Sequence, residues 1–372
     1  MNTDPTPNIP DKPADSTGEL HKGSLVSRLL KFGLPLLISV GLCIVLFRDI
    51  DFKEMVRIIR EECDFRFIGL NILIGLIPIV VRAARWGIQL KAINVTPPFR
   101  ILFYAIFGTY SFNIVFPRLG EVWRSGYIAY RQKAPFSEVF GSMIADRLAD
   151  TVTVALLVLV TFAFASGPFI KFMEAYPDAY HKIEAIATSP LFWGSGLLLA
   201  AAFWAALKYG KGKFISRVRS FFKGIWDGFA AIARMKGKGR WLVLTVILWS
   251  CYFLQLYVAF YAFPLTRQLL AENGIIVAFI CYMLSTIAMG IPSNGGIGPY
   301  QTAILFGLQL FAPAALSAAV NPAAHKAFIT AGAAFGNTVL AAKTLTFIIG
   351  GIIVFILIAA DKRRNSNASP AK

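Results

Sequence analysis

Residues 117–124, with the sequence PRLGEVWR, interrupt a chain that is otherwise a succession of apolar runs. A second interruption, PSNGGIGPYQ, covers residues 292–301. A charged residue at the centre of a bilayer costs about 3 kcal/mol even on the lenient insertion scale, so such residues usually face a protein interior or a watery cavity. We therefore expect the function to lie at these two interruptions.

The composition is that of a membrane protein. Hydrophobic residues make up 56% of the chain and charged residues 15%, and the mean hydropathy is +0.62. Because no water pairs with the backbone inside a bilayer, a spanning segment must satisfy its own peptide groups as a helix. The sequence predicts an all-α fold, a polytopic helical membrane protein with about 6–8 transmembrane helices, of which one or two are re-entrant or broken.

Apolar runs define the candidate spans. They lie at about residues 32–47, 67–81, 101–116, 151–169, 190–207, 241–263, 274–291, 298–312 and 327–360. Runs of about 18 or more residues can cross a bilayer, whereas runs of about 15 are marginal and are candidates for re-entrant segments. Residues 32–361 then form one integral membrane domain, which follows a tail at 1–31 with the Pro, Asp, Thr and Ser content typical of disorder.

The distribution of Lys and Arg predicts the orientation. Residues 209–240 hold nine basic residues against the single Asp227, and Lys362, Arg363 and Arg364 open a tail at 362–372. Cytoplasmic loops are enriched in Lys and Arg, so we expect both segments and the basic lead-in before residue 32 to be cytoplasmic. The expected protein is a multi-pass protein of the cell inner membrane with both termini in the cytoplasm.

This orientation requires an even number of crossings before residue 209, yet five apolar runs lie there. We expect Ile101–Phe116 to be re-entrant, because it is short and has basic residues on both sides, which a re-entrant segment keeps inside. The runs at 274–291 and 298–312 are either two spans or a second re-entrant hairpin, which enters from the opposite face. The hairpin alternative is the inverted-repeat design of transporters, with a site near the midplane.

Two further segments have the pattern of amphipathic helices. In residues 213–235, apolar residues recur at helical spacing among Lys and Arg, which suits a helix lying on an anionic leaflet; packing on other helices is the alternative. A similar stripe with mixed charge, formed by Phe52, Met55, Val56, Ile59 and Cys63, predicts an external amphipathic helix.

The first interruption has the chemistry of a phosphate site. If a helix begins near Pro117 or Gly120, Arg118, Glu121 and Arg124 follow at three-residue spacing, where Glu121 can orient both guanidinium groups. Planar Arg forks beside a helix N-terminus bind phosphate well. The alternative is an ordinary cluster of juxtamembrane positive charges.

Other polar residues border or enter the apolar runs. Arg147 can pair with Asp150, and Asp146 shares a face with Asp150, which predicts a salt-bridged anchor or, alternatively, a proton or headgroup relay. Snorkelling and an aromatic belt explain Arg82, Arg85 and Trp86. The intramembrane polar residues are Asn113, Asn337 and Lys343. Lys343 either faces a cavity or marks a break between two shorter helices.

The sequence predicts no metal site and no cofactor. The four Cys and three His residues are scattered without metal-ligand spacing. The net charge of +17 could indicate nucleic acid, but the basic residues lie at membrane borders, where anionic lipid is the better partner. The segment 210–213 (GKGK) lacks the spacing of a phosphate-binding loop.

Four motifs in this order resemble the flippase-like membrane domain of lysylphosphatidylglycerol synthases, and the stand-alone membrane proteins built from that domain. They are Arg-x-x-Arg-Trp at 82–86, Pro-Arg-x-Gly-Glu-x-x-Arg at 117–124, Asp-Arg-x-x-Asp at 146–150 and Gly-Gly-x-Gly after Pro292. The likeness covers about residues 32–360. The Gly-rich motif departs from the family at Gln301, where an acidic residue is frequent. The chain shows no soluble aminoacyltransferase domain after Ala360, so aminoacyl transfer is not expected.

The resemblance implies translocation of a phospholipid or other lipid-linked anion between leaflets, by a transporter rather than an enzyme. The residues expected to contact the substrate are Arg118, Glu121, Arg124, Arg147, Asp150, Asn294, Gly295, Gly296, Gly298 and Gln301. One alternative is a membrane-embedded transferase acting on a lipid phosphate, with Glu121 or Asp146 as the base. Another is a non-catalytic partner of a lipid-modifying enzyme.

Overall fold

The computed structural model describes residues 51–116, 118–175, 185, 188–209, 216, 235–291, 293, 295–316 and 320–367. The helices in these residues are α1 (Phe52–Glu61), α2 (Phe65–Ala92), α3 (Phe99–Val115), α4 (Leu119–Gln132), α5 (Phe136–Ala175), α6 (Pro190–Tyr209), α7 (Lys238–Ala259), α8 (Pro264–Asn273), α9 (Ile275–Ala288), α10 (Pro299–Gln309) and α11 (Pro322–Asn367), with 3₁₀ turns at Phe260–Ala262 and Ala314–Leu316. The described protein is all-α and polytopic, as the composition predicts.

Three described helices are long and apolar enough to cross a membrane: Phe65–Ala92, Lys238–Ala262 and Pro322–Asp361. A fourth candidate is the pair α8 and α9, which is bent by 115°. The predicted tail at 1–31, the apolar run at 32–47 and, apart from residues 216 and 235, the predicted amphipathic segment at 213–235 lie outside the described residues. Residues 362–367 of the predicted C-terminal tail continue α11.

The antiparallel pair α2 and α7 forms the centre of the fold. Asp64 begins α2, since its carboxylate accepts a hydrogen bond from the Arg66 N–H. Near this end the Asn71 amide donates to the Gln255 carbonyl at 2.6 Å. Near the other end Arg85 donates to the Thr245 hydroxyl at 3.4 Å. The N-terminal end of α2 thus packs on the C-terminal part of α7, and the C-terminal end of α2 packs on the N-terminal part of α7. The other helices are placed relative to these two ends of α2.

Helices α3 and α4 form a hairpin that starts at the C-terminal end of α2, where Leu102 packs on Gly87. The two arms lie against each other, with the rings of Phe112 and Trp123 stacked at 5.4 Å between centroids. The expected re-entrant segment Ile101–Phe116 is thus the first arm of a hairpin, whose second arm begins at Leu119.

Helices α9 and α10 form a second hairpin, which starts at the N-terminal end of α2. There the Asp64 N–H donates to the Ala262 carbonyl at 2.8 Å, just before α8 and α9. Gly307 allows the two arms to pack closely, because a Cβ there would lie 3.1 Å from the Cα of Cys281. Residues 275–309 therefore form a helical hairpin, and its re-entry into the membrane stays a prediction.

No single arm of either hairpin is long enough to cross the hydrocarbon core of a bilayer. Their arms have 17, 14, 14 and 11 residues, and helices of that length rise by about 17 to 26 Å against a hydrocarbon core near 30 Å. They enter from opposite ends of α2 and their tips meet: the Arg118 guanidinium donates to the Gly290 carbonyl, and Gly295 lies against Ile114. The two hairpins therefore have opposite directions along α2.

Helix α11 passes both hairpins. Its Asn337 amide contacts Met55 of α1 at 3.4 Å, its Phe347 ring stacks on Tyr110 of α3 at 4.8 Å between centroids, and its Asp361 carboxylate lies 3.3 Å from Arg100. Helix α1, predicted from its apolar stripe, packs Met55 and Ile59 on the core and leaves Phe52 and Val56 exposed.

Candidate functional site

A cavity of about 280 Å³ lies where the two hairpin tips meet. Both hairpins, α2, α5, α7 and α11 line it. Its polar and charged lining residues are Asn71, Arg82, Tyr110, Asn113, Arg118, Glu121, Arg147, Trp249, Tyr252, Gln255, Tyr282, Ser285, Thr286, Ser293, Tyr300, Lys343 and Thr344. The two sequence interruptions, about 170 residues apart along the chain, therefore share one site in space.

The cavity is cationic. Arg82, Arg118, Arg147 and Lys343 line it together with a single described carboxylate, that of Glu121. Clefts lined by one sign of charge and bounded by apolar walls concentrate ions of the opposite sign. This arrangement suits an anion.

Arg118 lies at the junction of the hairpins. It is the residue before the first turn of α4 and has φ +65°, which is uncommon for a residue other than glycine. Its side chain is exposed and donates to the Gly290 carbonyl of the other hairpin. Strained backbone of this kind clusters at functional sites, where the surrounding structure holds it in place.

Glu121 pairs with Arg147 and not with its neighbours in the sequence. The Arg147 guanidinium donates to the Glu121 carboxylate at 2.9 Å, and the Asn113 amide donates to it at 3.2 Å. The carbonyl of the same Asn113 side chain accepts from the Gly120 N–H at 2.8 Å. The prediction that Glu121 orients Arg118 and Arg124 is therefore wrong, because the Glu121 carboxylate binds Arg147 of α5 instead.

Arg124 does not line the cavity. It is fully buried, with its guanidinium 4.6 Å from the centre of the Trp86 ring and 3.5 Å from Asp146. One turn of helix separates it from Glu121, but it points into the layer behind. The expectation that Arg118 and Arg124 bind one phosphate together is therefore wrong, since Arg118 lines the cavity and Arg124 lies in the buried layer behind it.

A buried charge network forms that layer. Arg82 lies 2.7 Å from Asp150, and Arg85 lies 2.6 Å from both Asp146 and Asp150. Arg85, Asp146 and Trp86 have no exposed surface. Snorkelling is thus the wrong interpretation of Arg82 and Arg85: they bind carboxylates of another helix. The predicted Arg147–Asp150 pair exists at 3.9 Å and is the longer contact of Arg147.

The second interruption contributes backbone and small residues. Gly295 and Gly296 line the cavity with φ of +65° and +93°, a conformation that glycine adopts at no steric cost. Gly298 and Gln301 lie outside the lining. The side-chain oxygen of Gln301 accepts a hydrogen bond from the Gly298 N–H at 2.7 Å. The side-chain nitrogen of Gln301 donates to the side-chain oxygen of Asn337 at 3.2 Å. Gln301 and Asn337 therefore hold α10 against α11, and Asn294 lies outside the described residues.

Lys343 faces the cavity, which decides between the two sequence alternatives. Helix α11 runs without a break from Pro322 to Asn367, so Lys343 marks no helix end. Asp150 and Asp146 are absent from the lining residues. Of the expected site residues, the cavity thus brings together Asn113, Arg118, Glu121, Arg147, Gly295, Gly296 and Lys343.

Sequence reasoning missed the far side of the cavity. Asn71 and Gln255 line it, and the hydroxyls of Tyr110 and Tyr252 lie 3.1 Å apart within it. Asn71 lies inside the apolar run at 67–81, so the rule that marks intramembrane polar residues could have found it. Tyrosines in apolar runs carry no such signal, because they also populate membrane borders.

The described residues include no group of three or more His, Cys, Asp or Glu side chains that could hold a metal ion. Asp146 and Asp150, which share Arg85, are both paired with guanidinium groups. The chemistry of the cavity is that of ion pairing and hydrogen bonding.

Comparison with known proteins finds a family whose sequence model matches most of this chain. The sequence model of the family described as lysylphosphatidylglycerol synthase TM region matches residues 33–325. A UPF0104 membrane protein of Pyrococcus horikoshii is 26% identical over 140 residues, which are 37% of this chain and 42% of that protein, less than half its length. A UPF0104 membrane protein of Methanocaldococcus jannaschii is 18% identical over 315 residues, 79% of this chain and 89% of that protein. No solved structure matches.

Proposed function

The chain belongs to the lysylphosphatidylglycerol synthase TM region family, and from this premise we propose that it moves a lipid with an anionic phosphate headgroup between the two leaflets of a membrane. The observation that carries the proposal is the cationic cavity at the meeting point of two hairpins that enter from opposite ends of the fold. A binding site between two such elements is the arrangement used for alternating access.

The size of the cavity supports a headgroup as the occupant. A volume of about 280 Å³ lies at the lower end of the range for small-molecule sites and is too small for a whole phospholipid. The hairpin tips expose apolar side chains beside it, namely Val115, Phe116, Ile291 and Ile297. The acyl chains of a bound lipid can stay against these residues, in the hydrocarbon, while the headgroup enters the cavity.

Transport requires the two tips to separate in turn. In the described conformation the Arg118 side chain joins the hairpins through the Gly290 carbonyl. A phosphate that enters the cavity offers Arg118 a charged acceptor in place of a neutral one, and hydrogen bonds between charged partners are about twice as strong. Headgroup binding therefore favours release of the contact with Gly290, which frees the tips to move.

The basic residues support an orientation. Among the described residues, one end of the fold carries ten Lys and Arg residues, namely Lys91, Arg100, Arg131, Lys133, Lys236, Lys238, Arg240, Lys362, Arg363 and Arg364, whereas the other carries six, namely Lys53, Arg57, Arg60, Arg66, Arg267 and Lys326. By the excess of Lys and Arg in cytoplasmic loops, the first end is cytoplasmic, and the membrane is the cell inner membrane with both termini inside. In a background without the native cysteines, impermeant maleimide should label Arg60→Cys in intact spheroplasts and spare Arg131→Cys.

The test is lipid translocation by purified protein in sealed vesicles. A fluorescent phosphatidylglycerol analogue that crosses to the outer leaflet is bleached by dithionite. The wild type should accelerate bleaching of the inner pool, and the double variant Arg118→Gln with Arg147→Gln should return the rate to that of empty vesicles. The matched control is Arg60→Gln with Arg66→Gln. Both residues lie near the N-terminal end of α2 and outside the cavity.

Two outcomes would overturn the proposal. One is an unchanged translocation rate in an Arg118 and Arg147 double variant that elutes as a folded protein. The other is a change in the mass of the lipid on incubation with the protein, which would favour a membrane-embedded transferase with Glu121 as the base. Asp146 is a poor base for such an enzyme, because it is buried outside the cavity and paired with guanidinium groups.

A further inference from the structure

Lys343 has no carboxylate partner among the described residues. It projects from the middle of α11 into the cavity, and the described ion pairs, with N···O distances up to 4.0 Å, do not include it. Lysines within membrane-embedded helices are rare and usually pair with an opposite charge or line a pathway. The ammonium group of a lysine that lines a cavity without a carboxylate partner can therefore bind an anionic ligand.

Apart from Arg118, which donates to a backbone carbonyl, the other charged side chains of the cavity already form ion pairs. Glu121 accepts from both Arg147 and Asn113. Arg82 is paired with Asp150 in the buried layer. A ligand that enters thus meets an excess of positive charge, and the one carboxylate it could reach is engaged.

We propose that the site selects a lipid headgroup that carries a phosphate and no ammonium group, with Lys343 as the direct ion-pair partner of the phosphate. This inference rests on the proposed function and narrows its substrate. An aminoacylated headgroup places ammonium groups among Arg82, Arg118, Arg147 and Lys343 without a free carboxylate to receive them. Specificity of this kind comes from repulsion of the wrong ligand as well as attraction of the right one.

The aromatic side chains do not remove that repulsion. Trp249, Tyr110 and Tyr252 line the cavity and could face an ammonium through their rings. However, one face of the Tyr110 ring is already stacked on Phe347, and the Trp249 and Tyr252 rings meet edge to face at 6.1 Å between centroids. The rings carry no net charge, so they do not neutralise an ammonium group as a carboxylate would.

Phosphatidylglycerol and lysylphosphatidylglycerol are the matched probes, since they share the phosphate and glycerol and differ in the lysyl ester. Binding to purified protein is measured by native mass spectrometry, and translocation is measured in vesicles. We expect phosphatidylglycerol to be bound and translocated at least about tenfold better, a difference that corresponds to about 1.4 kcal/mol. Lys343→Met should lower phosphatidylglycerol binding about tenfold, and Lys343→Glu should shift the preference toward the lysyl lipid.

The matched control is Lys326→Met, an exposed lysine of the same helix outside the cavity. It should leave both measurements unchanged. Equal or stronger binding and transport of lysylphosphatidylglycerol, or binding of phosphatidylglycerol that does not depend on Lys343, would overturn the inference and leave the proposed transport standing. Binding that depends on Lys343 without translocation of either lipid would overturn the transport and leave the selectivity standing.

Discussion

The carboxylate of Glu121 and the guanidinium of Arg147 lie 2.9 Å apart and join the first hairpin to α5 at the wall of the cavity. Both side chains are partly shielded from solvent, with exposed fractions of 12% and 33%. The pair therefore holds Arg147 at the cavity, where a neighbouring phosphate can reach it, and it keeps the carboxylate from repelling that phosphate.

We predict that this pair is coupled in function. Glu121→Gln and Arg147→Gln should each slow lipid translocation, and the double variant should lose less than the two single losses combined. Contacting charged residues show coupling energies of about 0.5–3 kcal/mol in double-mutant cycles. Strict additivity of the two losses, measured as translocation rates in vesicles, would contradict a direct role for the contact.

The buried network should determine stability. Asp146→Asn removes the carboxylate that faces Arg82, Arg85 and Arg124. Breaking a buried ion pair by removing one partner costs about 3–5 kcal/mol, because a charge is left without compensation. The apparent melting temperature of the detergent-solubilised protein should therefore fall strongly. Glu138→Gln, an exposed carboxylate of the same helix, is the control and should leave that temperature unchanged.

Gly120 should tolerate no side chain. A Cβ at this position would lie 2.2 Å from the Thr109 carbonyl oxygen, which belongs to the backbone of the facing arm. Gly120→Ala must therefore force the arms of the first hairpin apart and slow translocation. Gly141→Ala, in α5 with nothing within 4 Å, is the control and should raise stability by up to about 1 kcal/mol. An unchanged rate in a folded Gly120→Ala variant would contradict this packing.

Locking the hairpin tips together should stop transport. A Cβ at Gly295 would lie 3.6 Å from the Cγ1 of Ile114, the position that the sulfur of a cysteine at residue 114 would take, so a disulfide between the two positions is within reach. In a background without the native cysteines, Ile114→Cys with Gly295→Cys should be inactive when oxidised and should regain transport on reduction. The two single variants are the controls. Full activity in the oxidised double variant would show that the tips need not separate.

Sequence patterns predicted the local elements well. The run Ile101–Phe116 is short and is flanked by basic residues, and it forms one arm of a hairpin; Phe52, Met55, Val56 and Ile59 form one stripe, and their segment is an amphipathic helix. Such features arise within a single helix, because its period and its length against the bilayer set which residues are buried and whether it crosses.

The sequence by itself determined that this chain is an all-α membrane protein and where its two interruptions lie, since hydropathy and breaker residues act locally. Only the tertiary structure decided which charges meet. Arg82 and Arg85 bind carboxylates between 61 and 68 residues away, while Arg118 and Arg124, six positions apart, face a cavity and a buried layer respectively. The physical reason is that an ion pair depends on how helices pack against one another, and spacing along one helix records only its own faces.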